Sequence, residues 1–337
     1  MLANKRKKNL LLYSRDHCRT WQVHELPPGT FSVEHWTGHN EIAGPPPIAL
    51  MTSHAPHPAR FASRNALRLL FPRKTRKGLD LGEPVLVTND CFGMAQHSGG
   101  ASFAATRDGK THIVWAEVTD EKVPGSPTYV ATYDHATGRL GDKVFLAYAP
   151  PINDVHNTPS ICLDSEGYLH VITGAHGASF YYLRSKHPHD ATGGWTTPAP
   201  TLTTGHKGKD GKESGRQTYL AFVCDPNDTL HIAFRQWRRG VDPYHTGRLY
   251  AALSYQRKKK GQPWEDGRPL LVSPVPSYSI FYHKLGMDHR GRLYLSYSYW
   301  STAKAYKGLP GRYHFRSMLC SRDAGHTWHL ATTGDFR

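Results

Sequence analysis

Long apolar runs are missing from this chain of 337 residues. No stretch approaches the length needed to cross a bilayer as a helix, which excludes helical membrane-spanning classes. Apolar residues at helical spacing are equally scarce, and 31 Gly and 24 Pro interrupt the chain every few residues. The basic cluster Lys5-Arg6-Lys7-Lys8 has no adequate apolar core and cleavage site beside it, so no signal peptide is read. The five cysteines are dispersed, odd in number and without C-x-x-C spacing, which disfavours a zinc site or a disulfide framework. Buried thiols acting as small core residues are expected instead. Acidic residues are also in short supply. There are 27 Asp and Glu against 42 Lys and Arg, giving a formal charge of +15. A field of that size favours a polyanionic partner, and nucleic acid, anionic polysaccharide and membrane surface all qualify.

What is present is a recurring hairpin. His156-Asn157-Thr158-Pro159-Ser160 leads into Ile161-Cys162-Leu163-Asp164, and Gly167 to Ile172 returns to Thr173-Gly174-Ala175-His176. Two apolar runs around an Asp-to-Gly turn read as a β-hairpin. A hairpin brings its outer ends together, so His156 and His176 are expected near each other. The second strand recurs as His112-Ile113-Val114-Trp115, His170-Val171-Ile172-Thr173, His231-Ile232-Ala233-Phe234 and Tyr294-Leu295-Ser296-Tyr297, spaced by 58, 61 and 63 residues. A weaker unit is read at Ala49-Leu50-Met51-Thr52.

Each unit has a second half. Ser321 to Trp328 matches S-x-D-x-G-x-T-W, the Asp-box of BNR-repeat propellers, and Ser14 to Trp21 matches it with Cys18 at the Gly position. Degenerate versions run from Tyr182 to Trp195 and from Tyr255 to Trp264. The Asp and Ser/Thr of such a box can bond backbone amides and lock a turn while the Trp packs inside. Two hairpins make four antiparallel strands, the blade of a β-propeller. The expectation is an all-β fold, a single propeller domain over 1–337, with poorly matched first blades in 1–90 and four clear blades in 91–337. About five and a half units are counted, so the ring is expected to be short or imperfectly closed.

Phasing the blades places His97, His156, Gln217 and Tyr219 at one end of successive units. His176 and Arg235 leave the second strands there, and Tyr278 and Tyr282 enter the next blade. Arg grips a carboxylate, while His and Tyr can pass protons. That set suits β-elimination of a uronic acid, in which neutralising the carboxylate stabilises the enolate formed when the α proton leaves. The scheme demands no cofactor, and a structural divalent ion remains open.

His156-Asn157-Thr158-Pro159-Ser160, Gly174-Ala175-His176, Arg216-Gln217-Thr218-Tyr219 and Phe234-Arg235 resemble the active-site segments of BNR-type ulvan lyases. The similarity spans roughly His97 to Trp328. It implies a seven-bladed, secreted or periplasmic polysaccharide lyase acting on a sulfated rhamnose–uronate polymer. It implies His156, His176, Tyr219 and Arg235 as the catalytic set, with Tyr219 and His176 in proton transfer, Arg235 on the carboxylate and His156 assisting. Substrate contacts are expected from His97, Asn157, Arg216, Gln217, Tyr278 and Tyr282. The implied partner is an anionic polysaccharide, with no nucleic acid, no membrane and a monomeric state.

Blander roles stand beside these. His112, His170 and His231 recur at the strand itself and read as structural. Tyr278, Tyr282 and Trp237 could stack on sugars or pack between blades, and Arg216 could hold sulfate or brace a loop. His187-Pro188-His189-Asp190 reads as an exposed loop before a metal site. Arg257-Lys258-Lys259-Lys260 reads as a solvated turn. Two other functions remain in play. A sialidase-type hydrolase would want an Arg-Ile-Pro segment, which is not found, and a non-catalytic propeller would bind polyanions through its basic surface.

Overall fold

A computed structural model describes residues 2–5, 8–16, 18–26, 32–35, 47–57, 63–76, 78–91, 103–176, 178–202, 216–239, 249–273, 279–302 and 314–337. His97 and Tyr278 lie outside the described residues. Apart from one 3-10 turn, Thr333–Phe336, regular structure there is all strand. Among the described residues no helix is long and apolar enough to cross a membrane.

The described strands form six antiparallel sheets in chain order, with a two-stranded hairpin inserted in the chain between the last two strands of the second. The first sheet is three-stranded, from Leu2–Lys5, Lys8–Tyr13 and Gln22–Glu25. The second joins Ser32–His35, Ile48–Pro56, Ser63–Leu70 and Val85–Cys91, so the weak unit at Ala49 is the heart of a four-stranded sheet. The third is five-stranded, built on Ala104–Arg107, Lys110–Ala116, Ser126–Asp134, Arg139–Leu140 and Val144–Ala149. The fourth runs Ser160–Leu163, Leu169–Thr173, Tyr181–Arg184 and Ala199–Pro200. The fifth runs Gln217–Cys224, Leu230–Arg239, Leu249–Lys258 and Arg268–Val272. The sixth ends the chain with Ser279–Ile280, Lys284–Met287, Leu293–Ser301, His314–Ser321 and His329–Leu330.

These sheets stack face to face like propeller blades, and the sequence shows why. A strand with neighbours on both faces must be apolar at odd and even positions alike. In the fourth sheet Ile161, Leu163, Leu169, Val171 and Leu183 pack on Val114, Val130 and Leu146 of the third. The alternate residues Cys162, Ile172 and Phe180 pack on Phe222, Cys224, Ile232 and Phe234 of the fifth. Ala221, Val223 and Leu253 of the fifth meet Leu285, Leu293, Leu295 and Leu319 of the sixth. Burying one such side chain contributes about 1.5–3 kcal/mol. None of the five cysteines is in a disulfide, and Cys91, Cys162, Cys224 and Cys320 are buried.

The recurring histidines brace the hairpin turns. Asp164 Oδ1 accepts from the amides of Glu166 (3.1 Å) and Tyr168 (2.9 Å), while Oδ2 lies 3.1 Å from His170 Nε2. His170 Nδ1 lies 2.7 Å from the Tyr182 hydroxyl. The next sheet repeats this with Asp225, His231 and Tyr255, at 3.1 Å and 2.6 Å. A carboxylate only accepts, so each Nε2 donates to it and each Nδ1 accepts from the phenol, leaving the ring neutral. Burial lowers both imidazole pKa values, and the partner aspartates only partly offset it.

The Asp-boxes lock turns as expected. Asp323 accepts from Thr327 N (2.9 Å) and Thr327 Oγ1 (2.6 Å), and Ser321 Oγ accepts from Gly325 N (2.9 Å). Asp16 accepts from Thr20 N (2.9 Å) and Thr20 Oγ1 (2.6 Å). The two tryptophans differ. Trp328 packs edge-on to Tyr255 at 5.1 Å, whereas Trp21, expected inside, is 45% exposed. The Arg257–Lys260 segment also departs from a simple solvated turn. Arg257 is buried, its Nε 2.8 Å from Glu265 Oε1 and its Nη1 donating to the Ala324 carbonyl at 2.8 Å. In the 187–190 loop, the His189 ring packs on Gly167, with Nε2 3.5 Å from Asp108 Oδ2.

Candidate active site

The loop after Val144–Ala149 and the loop after Leu169–Thr173 meet at one end of the fourth sheet. Asn157 pins them together, donating to Ala149 O at 2.6 Å and accepting from Gly174 N at 3.0 Å. Ala175 N adds a bond to Pro150 O at 3.0 Å. With those loops fixed, the rings of His156 and His176 stand 4.2 Å apart, centroid to centroid.

Between the two imidazoles sits a carboxylate that sequence reading missed. Asp154 Oδ1 is 2.6 Å from His156 Nδ1, and Asp154 Oδ2 is 2.6 Å from His176 Nδ1. The His156 amide adds a bond to Oδ1 at 2.9 Å. Burial alone would raise the Asp154 pKa, but the bonds from His156 and His176 outweigh it and hold the carboxyl far below its usual range. Because the anion can only accept, both rings carry their proton on Nδ1, and each can exchange a proton through Nε2. The one sequence signal for Asp154 is its place two residues before His156 in a proline-led loop.

Tyr219 faces this pair. Its ring centroid is 5.5 Å from His156, 6.3 Å from His176 and 5.6 Å from Tyr282. The backbone there is irregular. Pairing with Leu230–Arg239 shifts register between Thr218 and Ala221, and Tyr219 takes φ +62°. A left-handed conformation at a bulky residue costs about 1–3 kcal/mol, and a bulge re-aims the side chain it carries. Arg216, half-buried, is also left-handed at φ +47°. His283, fully buried, donates to Ala233 O at 3.1 Å below this segment, and burial pushes its pKa down to about 4.

Arg235 is paired across the strand with Thr218. Its Cζ lies 5.8 Å from the Tyr219 ring and 4.4 Å from the Trp237 ring. Tyr219 and Arg235 are almost fully buried, whereas the His176 side chain is 33% exposed. The structure therefore gathers His156, His176, Tyr219, Arg235 and Tyr282 at one end of the fourth and fifth sheets. Gln217 lies beside them but turns inward, accepting from Phe180 N (2.8 Å) and Thr201 Oγ1 (3.0 Å). Asn157 and Gln217, expected to touch substrate, are both wholly buried and bond the protein's own groups.

Two groups among the described residues offer metal-ligand atoms within 4.8 Å of one another: Asp154, His156 and His176, and Cys320, His329 and Asp335. At the first, both Nδ1 atoms already bond the carboxylate. The second is a potential metal-coordinating cluster whose Asp335 also accepts from Arg322 Nε at 2.8 Å.

A family model described as a BNR repeat-containing family member matches residues 125–335. No curated protein matches. Among solved structures the chain is similar to a PL25 ulvan lyase, at 18% identity over 73% of this chain and 57% of that one, with a TM-score of 0.51. Against the same kind of enzyme bound to -[GlcA(1-4)Rha3S]- the identity is 18%, over 69% and 52%, with a TM-score of 0.47. For the polysaccharide lyase Uly1 the identity is 14%, over 70% and 55%, with a TM-score of 0.45. The chain spans little more than half the length of these proteins. The likeness to the first is one of fold.

Proposed function

The chain belongs to the BNR repeat-containing family, and on that premise we propose that it is a carbohydrate-acting enzyme, a lyase that cleaves a uronate-bearing, sulfated polysaccharide. The observation that carries this reading is the single carboxylate of Asp154 orienting two imidazoles beside Tyr219 and Arg235.

In the proposed reaction the Arg235 guanidinium, which stays charged, neutralises the uronate carboxylate. Tyr219 and His176 carry the two proton transfers: one takes the C5 proton and the other protonates the leaving O4. The C5–H electrons form the C4=C5 double bond as the C4–O4 bond breaks, so the reaction is internally balanced. His156 assists through the carboxylate it shares with His176. Asp154 is a positioning residue, holding both rings in one tautomer. The proposed partner is an anionic polysaccharide, met by a monomer outside the cytoplasm.

The test is ultraviolet absorbance from unsaturated uronate ends, measured on ulvan and on unsulfated uronate polymers. Wild type is expected to give a rise, and His176→Ala and Tyr219→Phe to lower it by roughly a hundredfold or more. Absence of any rise with the intact protein, across all polymers tried, rules the lyase reading out. Release of sialic acid from a model glycoside would instead establish the hydrolase alternative.

A further inference from the structure

The turn end of the fourth and fifth sheets lies opposite the imidazoles, one five-residue strand (Leu169–Thr173) away, or about 15 Å at strand rise. At this end the fourth and fifth sheets are each roofed by the box turn of the next. Aligned on Trp264 and Trp328, Arg257 replaces Ser321, Lys259 replaces Asp323, and Gly261 matches Gly325. The residues that tie the last box are thus cations in the fifth sheet.

The exchange opens a space. Over Tyr255 the last box is shut: a Cβ on Gly325 would collide with the Tyr255 hydroxyl, Arg257 bonds Ala324 O at 2.8 Å, and Tyr255 is 1% exposed. Over Tyr182 an added Cβ on Gly261 would meet nothing within 4 Å. There a cleft of about 330 Å³ is lined by Tyr182, Arg184, Asp228, Lys258, Lys259 and Lys260, on top of the Asp164–His170 pair.

Its charges are unevenly matched. Lys260 is committed to Asp228 (2.8 Å) and Glu166 (3.0 Å), and the Asp164 carboxylate to His170 (3.1 Å). Arg184 lies over the Tyr168 ring at 3.5 Å, with its nearest carboxylate contact, Asp164, at 4.0 Å. Burial and then the charge of Arg184 lower the Lys258 pKa, and the Lys258 ammonium donates to the Gln262 carbonyl, which brings no counter-charge.

We propose that this cleft binds a tetrahedral oxyanion through Arg184, Lys258 and Lys259, the natural occupant being a sulfate group on an anionic polysaccharide. Guanidinium and ammonium donors converging on a partly enclosed pocket suit such a group. The site is separate from the imidazoles and stands whether or not those perform the elimination.

Calorimetric titration with sodium sulfate, at ionic strength matched with sodium chloride, tests the proposal. Wild type is expected to show one saturable site. Exposed Lys259→Glu should weaken it about tenfold, and Arg184→Gln with Lys258→Gln should abolish it. His176→Ala should bind sulfate like wild type, whatever it does to turnover. No saturable binding, or equal binding by thermally intact Lys259→Glu, overturns the site. Retention of wild type on an immobilised sulfated polysaccharide over its desulfated form, lost in Lys259→Glu, assigns the anion to the polymer. Equal retention on both, with sulfate binding intact, marks a free-ion site and overturns the polymer as occupant.

Discussion

Asp154 decides what the two imidazoles can do, since it holds His156 and His176 at 2.6 Å each. Replacing it with Asn puts a donor where one ring needs an acceptor, and that ring must turn its proton to Nε2. Asp154→Asn should lower kcat by roughly two to four orders of magnitude, with KM little changed and the pH profile altered. A fall in KM-linked binding alone, with kcat intact, would give Asp154 a merely structural part. A second residue-scale prediction concerns acid. Burial lowers His112 and His283 to about 4, below their ordinary 6.5, and lowers His170 and His231 as well. Between those values the unfolded chain binds more protons than the folded one, so stability falls as pH drops from 6.5 towards 4. The His112 and His283 shifts each account for a loss of about 3 kcal/mol once the pH has fallen to about 4. Urea midpoints should hold steady at neutral pH and decline below 6.5; a flat profile down to 4.5 contradicts the prediction. His156 and His176 were legible as neighbours because a hairpin joins its ends whatever its details. Asp154 was not, because a loop has no period to set it apart from other acids. The turn taken by Tyr219 was hidden too, since nothing in a Tyr predicts φ +62°.

At the scale of elements, the Ser14–Trp21 box shows where a pattern and a backbone part ways. Cys18 stands at the Gly position and adopts φ +66°, held by a bond from its amide to Ser14 Oγ at 2.8 Å. A Cβ in that region costs about 1–2 kcal/mol. Cys18→Gly should therefore stabilise the protein by about 1 kcal/mol, read as a raised melting temperature, and a lowered one would refute the strain. The strand hairpins and their turns were legible because Asp-to-Gly turns and short apolar runs are local properties. Arg257 was misread as solvated because its partners, Glu265 and Ala324, are 8 and 67 residues away. A run of cations looks like surface until the neighbouring blade is in place.

Across the whole molecule, order comes from each sheet lying on the next. Ile172 is fully buried where the fourth sheet meets the fifth. Ile172→Ala should cost about 2–5 kcal/mol, seen as a lower denaturant midpoint, and a loss below 1 kcal/mol would mean that this contact is looser than described. The repeat was legible from the spacing of its second strands, whereas the first sheets, with fewer apolar anchors, showed only as the weak unit at Ala49 and the box at Ser14. The outermost strands carry a consequence of their own. Those of the fourth and sixth sheets are two residues long, Ala199–Pro200 and His329–Leu330, and that of the fifth contains Pro269. A passing chain finds only a rung or two to hold, and proline removes a donor from some of them. These three rims are therefore poor templates for pairing with another copy of the chain.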